Sequence, residues 1–276
     1  MPKNQAQAQN YITSDAIVND HQTSGTTIAP VNESFSNSWS SGTAFAQTDY
    51  GVNHAAASIT YSASPPVGPP TPSPFVYSTG ISAYSDTFQF ALNNNLVAPS
   101  TVATSAQFIV QLDGTLTLPA GFMSASTLTI TSSNAGDAIA LASSTDVGSI
   151  LTETSTQDEW AINNSVSGAT YTTQSFAIGA GGVDQVSLAL YASVENDLSN
   201  LQFGTATADF ANTGILKGVV VYDQNGNVIP NSAITITSTS GTDYLSTATP
   251  EPSTTAYCSA VAALFLLKGV RSRRRV

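Results

Sequence analysis

Residues able to do chemistry are few in this chain, and they are scattered. His21 and His54 are the only histidines in 276 residues. A metal centre needs further donors, and a catalytic triad needs a positioned nucleophile and acid; the sequence marks neither around them, so both read as surface or loop histidines. Asp158-Glu159-Trp160 sets two carboxylates beside an aromatic ring, the composition of a glycosidase site or a sugar platform. Adjacent residues of a strand point to opposite faces, so these two acids would not converge on one substrate, and a loop with a partly buried Trp is expected.

Asp223-Gln224-Asn225-Gly226-Asn227 carries the oxygen donors of a Ca²⁺ loop, but an EF-hand wants Gly at the sixth position and Glu at the twelfth, whereas Gly226 is fourth. A hairpin turn is expected, with structural Ca²⁺ as the minority alternative. Gly179-Ala180-Gly181-Gly182 lacks the Lys and the strand-to-helix setting of a phosphate loop and reads as a turn. Asn32 and Asn163 fit the Asn-X-Ser/Thr sequon, a pattern frequent by chance in a chain so rich in Asn and Ser. No catalytic residue, metal ligand or cofactor is expected from these stretches.

Charge narrows the function classes further. Charged residues are 9% of the chain and hydrophobic ones 41%, enough to bury a core beneath a surface dressed with hydroxyls and amides. Over residues 1–249, two lysines (Lys3 and Lys217) face seventeen acidic residues, a formal −15. Such a surface repels phosphates, so nucleic acid is excluded as a partner. The one cysteine, Cys258, lies in the apolar tail, leaving the rest without a disulfide.

The elements that must position any site are strands. From Thr27 onward, short β-branched and aromatic segments alternate with Gly, Asn, Asp, Ser and Pro clusters, and no window shows a helical period. Stretches such as 78–92, 105–118, 126–133, 186–196 and 215–229 read as strands. Two hairpins are expected: one through Asp113-Gly114, with Phe108, Val110 and Leu112 before the turn and Leu116 and Leu118 after it, and one around Asn225-Gly226. Half-buried strands without helices must cover one another, so the fold class expected is all-β, an antiparallel β-sandwich of jelly-roll type over residues 27–248. Residues 1–26 are polar and are expected to be a disordered lead-in. The Pro-rich stretch 62–74 cannot join a central strand and is expected to be an excursion between two strands of one sandwich, with an interdomain linker as the alternative.

Residues 249–276 differ from everything before them. Five of the seven basic residues stand in the last nine positions: Lys268, Arg271, Arg273, Arg274 and Arg275. Before them runs an apolar stretch from Ala256 to Leu267 that includes Val261, Leu264, Phe265 and Leu266. As a helix, its dozen residues measure roughly 18 Å against a hydrocarbon core of about 30 Å, a marginal crossing unless Lys268 and Arg271 snorkel. Clustered Arg beside an apolar segment stays cytoplasmic, which would place the acidic body outside. Pro250-Glu251-Pro252 precedes the apolar run, and its prolines hold the chain extended where a processing enzyme would meet it.

This order, Pro250-Glu251-Pro252-Ser253-Thr254, then an apolar helix, then an Arg-rich end, resembles the PEP-CTERM sorting signal of Gram-negative bacteria that make extracellular polysaccharide. The resemblance covers about the last 27 residues. It implies an exosortase as partner, transient anchoring in the inner membrane and processing near the Pro-Glu-Pro element. More weakly, 206–244 and 81–90 resemble strands of the β-rich ectodomains found in that family. Two departures stand against it: the apolar run is short, and residues 1–25 hold no apolar run of about 7 to 15 residues to serve as a secretory signal. Cytoplasmic retention and a true start upstream of Met1 are the two ways to resolve the second. The function expected is that of an exported, non-enzymatic cell-surface or matrix protein associated with exopolysaccharide. A carbohydrate-binding sandwich that uses Trp39 and Trp160 is the alternative, and a glycan hydrolase ranks third.

Overall fold

The computed structural model describes residues 11–19, 21–62, 77–133, 141–143, 151–153, 159–179, 181–196 and 203–244. In chain order the strands are β1 (Tyr11–Val18), β2 (His21–Gly25), β3 (Val31–Ser36), β4 (Ser40–Asp49), β5 (Val52–Tyr61), β6 (Tyr77–Leu92), β7 (Ala103–Thr117), β8 (Phe122–Ser124) and β9 (Thr127–Ser132). They continue with β10 (Leu141–Ser143), β11 (Leu151–Glu153), β12 (Glu159–Ile162), β13 (Val166–Thr173), β14 (Phe176–Ala177), β15 (Val183–Asn196), β16 (Gly204–Asp223), β17 (Val228–Ile229) and β18 (Ile234–Ser238). One 3-10 turn, Asn231–Ala233, precedes β18. No helix among the described residues is long and apolar enough to cross a membrane.

The strands form two antiparallel sheets. Sheet I runs β2-β1-β6-β15-β9-β12-β11, with β18 also on β6 and β8 on β15; sheet II runs β3-β4-β5-β16-β7-β13-β10, with β14 also on β7 and β17 on β16. Four of the pairings are nested: β5 with β16, β6 with β15, β7 with β13, and β9 with β12. Successive strands of both arms alternate between the sheets, as if one long hairpin had been folded over on itself.

The all-β sandwich expected from the strand pattern is therefore observed, and period-2 burial explains why these residues form it. Val186, Leu188, Leu190, Ala192 and Val194 of β15 and Phe108, Val110 and Leu112 of β7 belong to one core, each large side chain contributing about 1.5 to 3 kcal/mol. Phe108 is stacked on Phe176 with centroids 4.8 Å apart and tilted against Phe88 at 5.6 Å. A second, thinner cluster is built from Ala16, Val18, Val31, Ala44 and Ala46.

Two sequence expectations change. Tyr11–Val18 and His21–Gly25 are strands, so the disordered lead-in over 1–26 is corrected from residue 11 onward: Ser14, Ala16 and Val18 alternate into the interior, and β1 pairs along β6. Asp113-Gly114 is not a turn, because β7 passes straight through it and pairs with both β13 and β16. The glycine serves a close approach: a Cβ at Gly114 would lie 2.6 Å from the Asp209 carbonyl oxygen and 2.3 Å from the Phe210 ring. The expected apolar C-terminal helix falls outside the described residues, as does the Pro-rich stretch from residue 63 to 74; β5 before that stretch and β6 after it belong to the two sheets of one sandwich.

At the alanine-rich end the sheets touch backbone to backbone. A Cβ on Gly80 of β6 would lie 2.1 Å from the Phe45 carbonyl oxygen of β4 and 2.7 Å from that of Ala56 in β5. Hydroxyls then bridge the layers. Ser78 Oγ donates to the Thr43 carbonyl at 2.5 Å, Ser82 Oγ to the Gln47 carbonyl at 2.8 Å, and Thr48 Oγ1 to the Thr13 carbonyl at 2.7 Å. Asn53 Nδ2 donates to the Leu188 carbonyl at 2.8 Å. Ser78, Ser82, Thr48 and Asn53 are each 0% exposed. Gly80→Ala therefore forces the sheets apart and should destabilise the fold by at least about 1 to 3 kcal/mol, while Ser82→Ala, which orphans buried partners, should cost about 1 to 3 kcal/mol. Denaturant midpoints of the two variants against the parent check both.

Candidate functional site

A depression lies on the outer face of sheet II. Its rows follow from the ladder register: Asn32 pairs Phe45, Phe45 pairs Ala56, Ala56 pairs Asp209, and Asp209 pairs Thr115. One step along the strands, Ser34, Thr43, Ser58, Thr207 and Thr117 form a parallel row of hydroxyls. Paired residues share a face, so both rows point away from the core that Ala44, Ala57 and Ala208 enter. Ala56 supplies the low point between Phe45 and Asp209, and the resulting groove encloses about 520 Å³. A second depression of about 320 Å³, lined by Asp113, Ser165 and Ser167, shares Thr115 and Asp209 with the first.

Asp209 is set by a bulge. The register of β16 against β5 jumps between Phe210 and Gly214, leaving 211–213 without partners in that ladder. Asp209 Oδ1 accepts the Ala211 amide at 3.0 Å and so caps the bulge from its own strand. His54 completes the turn of chain, its Nδ1–H donating to the Ala211 carbonyl. At the far end of the groove, Glu33 is held below the ordinary carboxylate range by the Thr23 hydroxyl at 2.6 Å and then by the Ser34 amide. Lys217 is the one lysine or arginine among the described residues, and it does not line the groove. The arrangement offers hydroxyls, an amide, two carboxylates and one aromatic ring to a ligand lying flat on a sheet.

The residues singled out in the sequence lie elsewhere. His21 stacks on Phe35 across the sandwich edge, with centroids 6.3 Å apart. Trp39 is half-buried and packs against Tyr61 with ring centroids 5.3 Å apart, outside the groove. Trp160 lies in β12, in register with Leu128, and Asp158 is outside the described residues. Asn163 is exposed, and Asn32 lines the groove. The Gly182 amide donates to the Gly179 carbonyl at 3.0 Å. The sorting motif 250–254, the apolar run 256–267 and the basic residues 268–275 all lie outside the described residues. Asp209, Phe45 and Ala56 were not marked by the sequence; the alternation in Thr-Ala-Thr-Ala-Asp-Phe (205–210) could have put Asp209 on an outer face, but not opposite Phe45.

Asp223 closes the expected second hairpin. Its Oδ1 accepts the Asn225 and Asn227 amides, each at 2.8 Å, and Gly226 takes φ 79°. Among the described residues, no three His, Cys, Asp or Glu side chains gather as a metal site would require. A buried carboxylate, Asp86, ties down the end of the described chain: Tyr244 Oη donates to it at 2.9 Å and Ser240 Oγ at 2.5 Å, while the Tyr244 ring packs on Phe88 at 4.6 Å. Burial, followed by the neighbouring Tyr84 and Asp86, pushes the Tyr244 hydroxyl well above its ordinary range. The hydroxyl of Tyr84 is buried without a partner. Comparison with protein-family models, curated proteins and solved structures returns no match.

Opposite outcomes are expected at the two tyrosines: Tyr244→Phe should lower stability by about 1 to 3 kcal/mol, and Tyr84→Phe should leave it unchanged or raise it, read from urea denaturation. Asp223 is held below its ordinary value of 3.8, first by the Asn227 amide and side chain. A lowered folded value means that the contribution to stability is fully present above the unfolded value and is lost as pH falls through the folded one. Stability of the parent should therefore drop more steeply below about pH 4 than that of Asp223→Asn, measured by denaturation across that range.

Proposed function

We propose that the chain is an exported, non-enzymatic protein of the cell surface or extracellular matrix, sorted through its C-terminal segment by an exosortase. The observation that carries this reading is the ordered tail: Pro250-Glu251-Pro252-Ser253-Thr254, the apolar run Ala256 to Leu267, and the basic end from Lys268 to Arg275. Guanidinium groups hold the terminus at the inner leaflet while the acidic body faces outward. The body fits that destination. It is an all-β sandwich whose nested pairs, β5·β16, β6·β15, β7·β13 and β9·β12, support a jelly-roll reading. Its stability comes from packed strands and hydroxyl bridges, which no redox environment alters. Both histidines are committed to ring stacking or a backbone carbonyl, which favours a structural over a catalytic role.

Carbohydrate binding is the second reading, favoured by the hydroxyl-lined groove across sheet II. Sorting is tested in a host that carries the sorting machinery. Native chain should be recovered outside the inner membrane with its mass reduced by the tail, whereas replacing Pro250, Glu251 and Pro252 together by Ala should leave intact chain in the inner-membrane fraction. Unprocessed native chain in the soluble cell interior would refute sorting.

A further inference from the structure

We infer that the groove on the outer face of sheet II is the seat of a linear glycan that carries no acidic groups, laid across the strands from Asn32 towards Ser167. This rests on the carbohydrate-binding reading and adds the place, the direction and the charge of the ligand.

Direction comes from continuity. The two depressions meet at Thr115 and Asp209, so one path crosses β3, β4, β5, β16, β7 and β13. Five inter-strand steps of about 4.8 Å make it about 24 Å long, a length suited to a chain of several sugars rather than a single one. The path is open at its floor because Ala56 presents only a methyl group between Phe45 and Asp209.

Recognition comes from what lines it. A sugar ring presents hydroxyls around its rim and C–H groups on its faces. Thr43, Ser58, Thr115 and Thr207 each offer a hydroxyl that both donates and accepts, and Asp209 has its Oδ2 free beyond the bond that Oδ1 takes from Ala211. A carboxylate hydrogen-bonded to a neutral hydroxyl makes one of the stronger contacts of this kind. Phe45, half-buried in the same row, gives the C–H face an apolar partner. None of these side chains is needed by the core, which is filled from the opposite face of the same strands.

Charge excludes the acidic glycans. Glu33, Asp209 and Asp113 stand at one end, the middle and the far side of the path, and no lysine or arginine lines it. A uronate or sulfate placed there would meet like charge with no cation to offset it, and the protein's overall negative field would slow its approach.

The test uses the full-length chain and linear oligosaccharides about six sugars long, matched to the path. The neutral set holds β-1,4-glucan, β-1,3-glucan, β-1,4-mannan, β-1,4-xylan and β-1,4-N-acetylglucosamine; the acidic set holds oligogalacturonate and oligomannuronate. Saturable binding of at least one neutral oligomer, and of neither acidic one, is expected by calorimetry. Ala56→Phe should weaken that binding more than about tenfold by filling the floor, and Asp209→Asn about fivefold at unchanged shape. Circular dichroism reports whether each variant is folded; should Ala56→Phe unfold, Thr207→Tyr fills the same groove from β16. Neutral binding that survives the folded variants would overturn this inference and leave the carbohydrate-binding reading with a site elsewhere. Preference for an acidic oligomer would overturn the charge argument and with it the inference. Absence of binding to either set would sink both.

Discussion

A set of buried polar side chains joins the two sheets, and the rest of the described structure is arranged around it. Ser78, Ser82, Thr48 and Asn53 reach across the interior and hydrogen-bond backbone carbonyls of the opposite layer. In an ordinary sandwich the layers stand about 10 Å apart, separated by interdigitated apolar side chains. Here, at the end lined by Ala16, Ala44, Ala46 and Gly80, the layers are near enough for hydroxyls to span the gap. Each such bond contributes only about 0.5 to 1.5 kcal/mol net, but leaving any one unmade strands a buried polar group. The bridges therefore specify register more than they add stability, because a shift of one residue would turn every hydroxyl to the wrong face.

That close approach also shapes the outer surface. Gly80 lies against the backbone of Phe45 and Ala56, and the same two residues form the floor of the groove on the other side of sheet II. The inner and outer faces of these strands are thus coupled: small residues inside let the layers meet, and a small residue outside leaves room for a ligand. The bulge at 211–213 adds the third element, with Asp209 at its shoulder and Gly114 admitting the bulged strand from β7. In this account the glycines at 80 and 114 serve contact between backbones, not turns.

The charge distribution ties the body to its proposed destination. With seventeen acidic residues and two lysines before residue 250 there are few salt bridges to make, and described acids such as Asp223 and Asp184 are instead hydrogen-bonded by amides and hydroxyls. Asp223 is satisfied by its own turn, and the buried Asp184 by Ser132 and Ser133. Concentrating cations at Lys268 to Arg275 leaves the body free of the sign that would hold it to an anionic inner leaflet, which suits a protein proposed to leave that membrane and remain among polysaccharides.

The sequence by itself determined the class of the fold and some of its core positions, Phe108, Val110 and Leu112 among them. Period-2 alternation in 186–194 and 106–112 has one physical meaning, a strand with one face in oil, and the turn at Asn225-Gly226 follows from the positive φ that Gly permits. It also held a clue that went the other way at Asp113-Gly114: a two-residue turn would pair Leu112 with Thr115, whereas Leu112, Leu116 and Leu118 share the parity of one uninterrupted strand. The burial of Ser14 in β1 was harder to see, because a short polar side chain carries little hydrophobic signal and this one is buried with a hydrogen-bond partner more than 30 residues away, Thr48. The groove was not legible at all. Asn32, Phe45, Ala56, Asp209 and Thr115 are spread over more than 170 positions, and only ladder register, a non-local pairing of backbones, brings them into one row.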